Sequence, residues 1–227
     1  AVIDAVGYAA STAHRGVRML RMPTTVLGQL DAAIGVKNGV NRFGKKNFVG
    51  TFDVPRGVIC DEELLTTLED HDWRAGFSEA VKIACLQDRD FMDQIFEASE
   101  GIRNRNAEAA RPIIHRCAEL HLRHITRGGD PFERLEARPL DFGHWAAHRL
   151  EAMSNWTVRH GDAVSIGIAL DTVYSRLSGL LSDESCSRVL QALRALDLPV
   201  SHEILSDTNG LLSGLQEFRE HLGGRLT

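Results

Sequence analysis

DEELLTTLEDHDWRAGFSEAVKIA, residues 61–84, is where the chain changes texture, from glycine-punctuated sequence to sustained helical periodicity. Asp61 reads as an N-cap, with Glu62 and Glu63 in the first turn. Trp73, Phe77, Ala80, Val81 and Ala84 then recur at helical spacing and define one apolar face. Working outward to the C-terminus, the pattern predicts helices over 88–99, 106–126, 142–154, 161–180, 183–196 and 207–221, with Gly128-Gly129-Asp130-Pro131 as a breaker. Toward the N-terminus, eight glycines (Gly7, Gly16, Gly28, Gly35, Gly39, Gly44, Gly50 and Gly57) interrupt the first sixty residues. There Asp4 to Ala13 reads as an Ala-rich helix, and Val17–Met22 and Arg56–Cys60 read as short strands. The expected architecture is an α/β remnant over 1–69 followed by an all-α domain over 70–227.

Composition narrows the function classes. The 227 residues are 43% hydrophobic and 25% charged, which is ordinary globular chemistry. No apolar run approaches the roughly 18–20 residues that span a bilayer, so no membrane partner is expected. A net charge of −5 gives no electrostatic case for nucleic acid. Cys60, Cys85, Cys117 and Cys186 are scattered without a CxxC pair, so they read as small buried hydrophobes in a reducing compartment, and a cytoplasmic location is expected. The first residues, Ala1-Val2-Ile3, read as the interior of a longer protein.

Two groups of residues could carry chemistry. His144 and His148 stand one helical turn apart and point from one face; His160 opens the next helix and Glu79 lies on an earlier one. Imidazoles with a carboxylate can hold a divalent metal and leave a position open for substrate. The alternative is that these are surface or capping histidines, since HxxxH is common in helices. The second group is Arg15, Lys37, Lys45 and Lys46, set among glycines and Asn38, Asn41 and Asn47. Cations on a Gly-rich backbone suit a phosphate, and equally describe a solvated basic loop.

The order of the pieces separates these alternatives. PTTVLGQLDAAIGVKNGVNRFGKKNFVGTF (23–52), LLTTLEDHDWRAGFSEAVKIA (64–84), LDFGHWAAHRLE (140–151) and RHGDAVSIG (159–167) together resemble the signature of the 3-dehydroquinate synthase family, the sugar-phosphate cyclases, over residues 1 to about 180. The resemblance implies an NAD- and metal-dependent lyase that eliminates phosphate from a seven-carbon sugar phosphate and closes a carbocycle without net redox change. It implies Glu79, His144 and His160 as ligands of zinc or cobalt, with His148 as a nearby imidazole. It also places Asp4, Thr24, Thr25, Thr67, Leu68 and Lys82 on the NAD side, assigns substrate to Asp31, Lys37, Lys46 and Asn47, and gives its phosphate to Arg15. A homodimer is expected when the protein is full length.

The departures point to specificity. The family's Gly-Gly-Lys is Gly35-Val36-Lys37 here, its Gly-His-Thr is Gly143-His144-Trp145, and its Leu-Leu-Asn is Pro139-Leu140-Asp141. A family Arg aligns with Ala137, with Arg138 one residue away; a Lys aligns with Arg123; a C-terminal Asp-Lys-Lys aligns with Phe218-Arg219-Glu220. Metal and NAD positions are retained, while those that would grip a substrate carboxylate have drifted. The expected substrate is therefore a non-carboxylated sugar phosphate. GGDPFE (128–133) has no chemistry assigned to it. Two other readings fit the same residues: a metal-dependent alcohol dehydrogenase using NAD stoichiometrically, and a non-catalytic binding protein on the same fold.

Overall fold

The computed structural model describes residues 2–128, 131–132 and 138–221, so Ala137 and half of GGDPFE (Gly129, Asp130 and Glu133) lie outside it. Helix α1 (Val2–Thr12) packs on an antiparallel hairpin of β2 (Lys37–Arg42) and β3 (Lys45–Phe52). A short parallel pair, β1 (Leu20–Arg21) with β4 (Gly57–Val58), lies beside it. Buried Arg21 ties the two sheets together. Its guanidinium donates to the carbonyls of Ala33 (3.1 Å) and Gly35 (2.6 Å) and to Asn38 Oδ1 (2.7 Å). The expected strands at 17–22 and 56–60 are thus present but shorter, at two residues each.

The hairpin weighs against the solvated basic loop, one of two readings of Lys37, Lys45 and Lys46. Arg42 pairs with Lys45 across a two-residue connection in which Phe43 (φ 54°) and Gly44 (φ 71°) are both left-handed. That is the type I′ geometry whose twist matches paired strands. Lys, Asn and Gly have low β-propensity and hide the strands from a propensity reading. The hairpin turns the lysines from a loosely held patch into groups at fixed register.

Beyond β4 every regular element among the described residues is helical. A 3-10 turn at Glu62–Leu65 is capped by Asp61, which accepts from the Glu63 N–H at 3.0 Å. There follow α2 (Asp70–Ala75), α3 (Phe77–Gln87), α4 (Arg89–Arg103), α5 (Ala107–Arg127), α6 (His144–Met153), α7 (His160–Leu177), α8 (Asp183–Ala195) and α9 (Thr208–His221). The single helix expected through Trp73 and Ala84 is instead two, meeting at Gly76. A Cβ at Gly76 would stand 2.5 Å from the Leu27 backbone nitrogen, so the helical domain meets the N-terminal unit there backbone to backbone. Helix α3 is the hub. Every residue from Phe77 to Ala84 is buried, because α4, α5, α7 and α8 pack around it. A helix enclosed on all sides carries whatever polar groups it has into the interior, and α3 carries Glu79 and Lys82.

One cap in this bundle gives a stability prediction. Asp88 accepts from the N–H groups of Asp90 (3.0 Å) and Phe91 (3.2 Å) at the start of α4, and from Arg116 of α5 at 2.7 Å. The Arg116 hydrogen bond holds its carboxyl below the ordinary 3.8. Asp88→Ala should cost about 1 kcal/mol, as lost caps do, or about 2–4 °C of melting temperature for a domain of this size. The folded pKa is depressed, so this contribution is present above the unfolded value and fades as pH falls through the folded one. Melting curves of both proteins at pH 7 and pH 3 should therefore converge at the lower pH; an unchanged gap would contradict this.

Candidate metal and substrate site

Three helices deliver the central residues. Glu79 comes from buried α3, His144 opens α6 and His160 opens α7. One ligand atom from each lies within 4.8 Å of the other two. His144 Nε2 is 3.4 Å, and His160 Nε2 3.8 Å, from Glu79 Oε1. Both oxygens of Glu79 are buried and neither receives a hydrogen bond, while Oε2 is ion-paired with Lys82 Nζ at 2.5 Å. A buried carboxylate oxygen left unpaired between two imidazoles is costly alone and satisfied by a cation. The residues therefore fit a divalent metal with an N₂O donor set.

Neighbouring groups fix the imidazoles. His144 Nδ1 lies 3.1 Å from the Phe142 carbonyl, which can only accept, so Nδ1 carries the proton and Nε2 keeps its lone pair toward Glu79. His160 Nδ1 lies 3.2 Å from Glu151 Oε2, which also accepts from Lys46 Nζ. Lys46 Nζ is 2.9 Å from the same ring nitrogen. Burial, reinforced by the Lys46 charge, lowers the His160 pKa and favours neutral imidazole. His148 completes the cluster: its ring centroid is 5.5 Å from that of His144 and 6.1 Å from that of His160, and it is not among the three convergent ligand atoms.

A second polar layer lies behind Glu79. Lys82, with 3% of its side chain exposed, also pairs with Asp31 at 3.4 Å, and Asp31 Oδ1 is 2.8 Å from His121 Nδ1. Burial alone would raise the Asp31 carboxyl, but Lys82 and His121 together hold it well below its ordinary value. Burial likewise opposes the Lys82 charge, and Asp31 and Glu79 overcome it and raise its pKa. Lys82, placed on the NAD side by resemblance, thus stands directly behind the Glu79 carboxylate. Arg123, aligned with a family lysine, is half-exposed and pairs with Glu119; two residues earlier on α5, His121 is the side chain that faces the site.

The remaining expected site residues are more dispersed. Lys37 pairs with Asp141 at 3.5 Å, bringing hairpin and α6 entrance together. Asp4 acts on Lys46 through its charge. Thr25 Oγ1 accepts from the Gly28 N–H at 3.0 Å, and Asn47, at φ 51°, donates its own N–H to Asn41 Oδ1. Thr67 is exposed and Leu68 packs on the core; Arg105 donates to the Leu68 carbonyl at 2.6 Å. Arg15 and Thr24 are exposed on the N-terminal unit. The sequence reading gave no role to Glu151 or His121. Glu151 was visible three residues after His148, whereas nothing in the α5 pattern singles out His121.

Known proteins are similar to this chain in sequence and fold. The family model for the 3-dehydroquinate synthase N-terminal region matches residues 1–75, and that for the C-terminal region matches 76–217. The chain is 34% identical over 226 residues to 3-dehydroquinate synthase of Leifsonia xyli, covering 100% of this chain and 62% of the relative. It is 37% identical over 205 residues to 2-epi-valiolone synthase of Actinosynnema mirum, covering 90% and 53%. Among solved structures, 2-epi-5-epi-valiolone synthase of Streptomyces hygroscopicus, with NAD+ and Zn2+ bound, superposes with a TM-score of 0.90 at 31% identity, covering 98% of this chain and 61% of that one. The chain therefore spans between half and two thirds of the length of these relatives.

Proposed function

Because the chain belongs to the 3-dehydroquinate synthase family, we propose that the protein is a sugar-phosphate cyclase acting on a non-carboxylated seven-carbon sugar phosphate such as sedoheptulose phosphate. The observation that carries this reading is the convergence of Glu79, His144 and His160 around an unpaired, buried carboxylate oxygen. When bound there, zinc or cobalt would supply Lewis-acid polarisation of substrate oxygens, and NAD a reversible hydride acceptor.

The chain's own residues divide the other tasks. Lys46, half-buried and held by Glu151, is fixed where it can offer a proton or a positive charge to a substrate oxygen. Burial presses its pKa down against the pull of Glu151. His148, beside the ligand pair, is placed for proton transfer or a phosphate contact. Burial raises the Glu79 carboxyl and the like charge of Asp31 adds to that, but Lys82, with His144, more than offsets both and holds Glu79 in its ionised form. Asp141 and Lys37 face each other at 3.5 Å, so the acidic side chain that replaces the family's Asn is balanced by the nearest substrate-side cation. A hydroxyl can insert between such a pair and satisfy both, whereas a second carboxylate is repelled by Asp141. The two valiolone synthases among the relatives favour the same direction, and the 3-dehydroquinate synthases among them the other.

We extend the reading to a homodimeric cytoplasmic enzyme with a division near residue 70. Four free cysteines, of which Cys117 and Cys186 are buried as expected and Cys60 and Cys85 are exposed instead, and the lack, among the described residues, of any helix long and apolar enough to cross a membrane are compatible with it. Chelation of the full-length protein should abolish turnover, and zinc or cobalt should restore it; undiminished turnover after complete removal of metal would refute the reading. Glu151→Gln should raise the metal dissociation constant about 10–100-fold, as loss of a carboxylate behind a ligating His does. Isothermal titration would show this, and an unchanged constant would remove Glu151 from the site.

A further inference from the structure

Helix α7 carries a polar group that the site so far described does not use. Asp171 lies three turns beyond His160, on the face of α7 packed against α6. Its Oδ2 accepts the Gly143 N–H at 2.8 Å, and its Oδ1 accepts the indole Nε1–H of Trp145 at 2.8 Å. Burial raises its pKa against these two hydrogen bonds, which favour the charged form. Gly143 has φ 77°, and a Cβ there would lie 2.7 Å from the Ile168 nitrogen. On the facing helix, a Cβ at Gly167 would lie 1.9 Å from the Gly143 carbonyl oxygen. The peptide units on both sides of Gly143 are thus set by α7: one by a carboxylate, the other by the absence of a side chain.

The location gives this significance. Gly143 stands between Asp141, which faces Lys37, and His144, which faces Glu79. Phe142 supplies the carbonyl that orients His144. Trp145, at a position where the family motif has Thr, borders the hollow lined by Lys45, Lys46 and His148. One carboxylate therefore holds both the residue before His144 and the residue after it.

We propose that Asp171 is a positioning residue that fixes the 141–145 segment, so that metal affinity through His144, the placement of Trp145 at the hollow beside Lys46 and His148, and that of Asp141 opposite Lys37 depend on it together. It touches neither metal nor substrate and acts through Gly143 and Trp145. The inference rests on the metal-site reading above, and the experiment separates the two.

Titrate full-length wild type, Asp171→Ala and Trp145→Phe with Co2+, recording binding isotherms, the cobalt d–d spectrum and the steady-state constants. Asp171→Ala should weaken cobalt binding about tenfold or more, the range for lost partners of ligating histidines, with a shifted spectrum. Trp145→Phe keeps the Gly143 hydrogen bond, so it should leave the cobalt affinity within about twofold and raise KM more than it lowers kcat. If Asp171→Ala does not fold, Asp171→Asn serves: Asn has one acceptor for two donors, so weaker cobalt binding is expected in a folded protein. A folded Asp171 variant with wild-type cobalt affinity and spectrum overturns the proposal. Failure of the wild type to bind cobalt overturns the metal-site reading instead.

Discussion

Glu79→Gln should leave a folded protein that no longer retains a divalent metal and turns over at least about a thousandfold more slowly. The expectation of folding comes from the layer behind the site. Lys82 is shared by two carboxylates, Glu79 at 2.5 Å and Asp31 at 3.4 Å, so removing the Glu79 charge does not strand a buried ammonium. Breaking a buried pair outright would typically cost about 3–5 kcal/mol; with Asp31 still in place the cost should be a fraction of that. The loss of function follows from the donor set. The carboxylate is the only anionic group among the three convergent ligands, and the substituted amide is a neutral and much weaker donor. Lewis-acid stabilisation amounts to several kcal/mol, and about 1.4 kcal/mol corresponds to each tenfold in rate. Metal content by elemental analysis, melting temperature and kcat together decide the matter. A variant that keeps stoichiometric metal and near-wild-type kcat would show that Glu79 is structural.

The second large effect is in substrate choice. Wild-type full-length protein should prefer a neutral heptulose phosphate over the carboxylated heptulosonate by a few hundred-fold or more in kcat/KM. Each charge-assisted contact to a carboxylate contributes about 1.5–3 kcal/mol, and two such contacts have been replaced. Where the family has Asn the chain has Asp141, and where it has Arg the chain has Ala137. Asp141→Asn should narrow the preference at least about tenfold, since one like-charge repulsion is removed. The same variant frees Lys37 from its 3.5 Å partner, making that cation available to a substrate carboxylate. Arg138 is the residue that could undo this expectation by turning toward the substrate. Comparable kcat/KM for both substrates in the wild type would show that it does.

The sequence exposed the helical half well. The seven helical segments read from periodicity and breakers each correspond to a helix, with ends within a few residues, except where Gly76 divides the first. Apolar periodicity survives in a single sequence because each helix has one face to bury. The hairpin at 37–52 left no such trace. Its first strand is Lys, Asn, Gly, Val and Arg, the second opens on Lys45-Lys46-Asn47 before the β-prone Phe48, Val49, Thr51 and Phe52, and only the Phe43-Gly44 pair marks the turn. The three convergent ligands were legible through motif order, because acidic and imidazole groups on known motifs can be numbered without knowing the fold. The supporting residues were not. His121 reaches Asp31 across 90 positions of sequence, and Asp171 reaches Gly143 across 28. Such pairings are consequences of helix packing, and local periodicity carries no record of them.

The central claim, that these residues serve phosphate elimination and ring closure with a recycled cofactor, is tested most directly by incubating the full-length protein with sedoheptulose phosphate, NAD+ and zinc. Inorganic phosphate is followed by phosphorus NMR and absorbance at the NADH wavelength in the same sample. The account predicts stoichiometric phosphate release, a carbocyclic product and no accumulation of NADH. NADH rising in step with turnover while the phosphate ester stays intact would contradict it and identify a dehydrogenase.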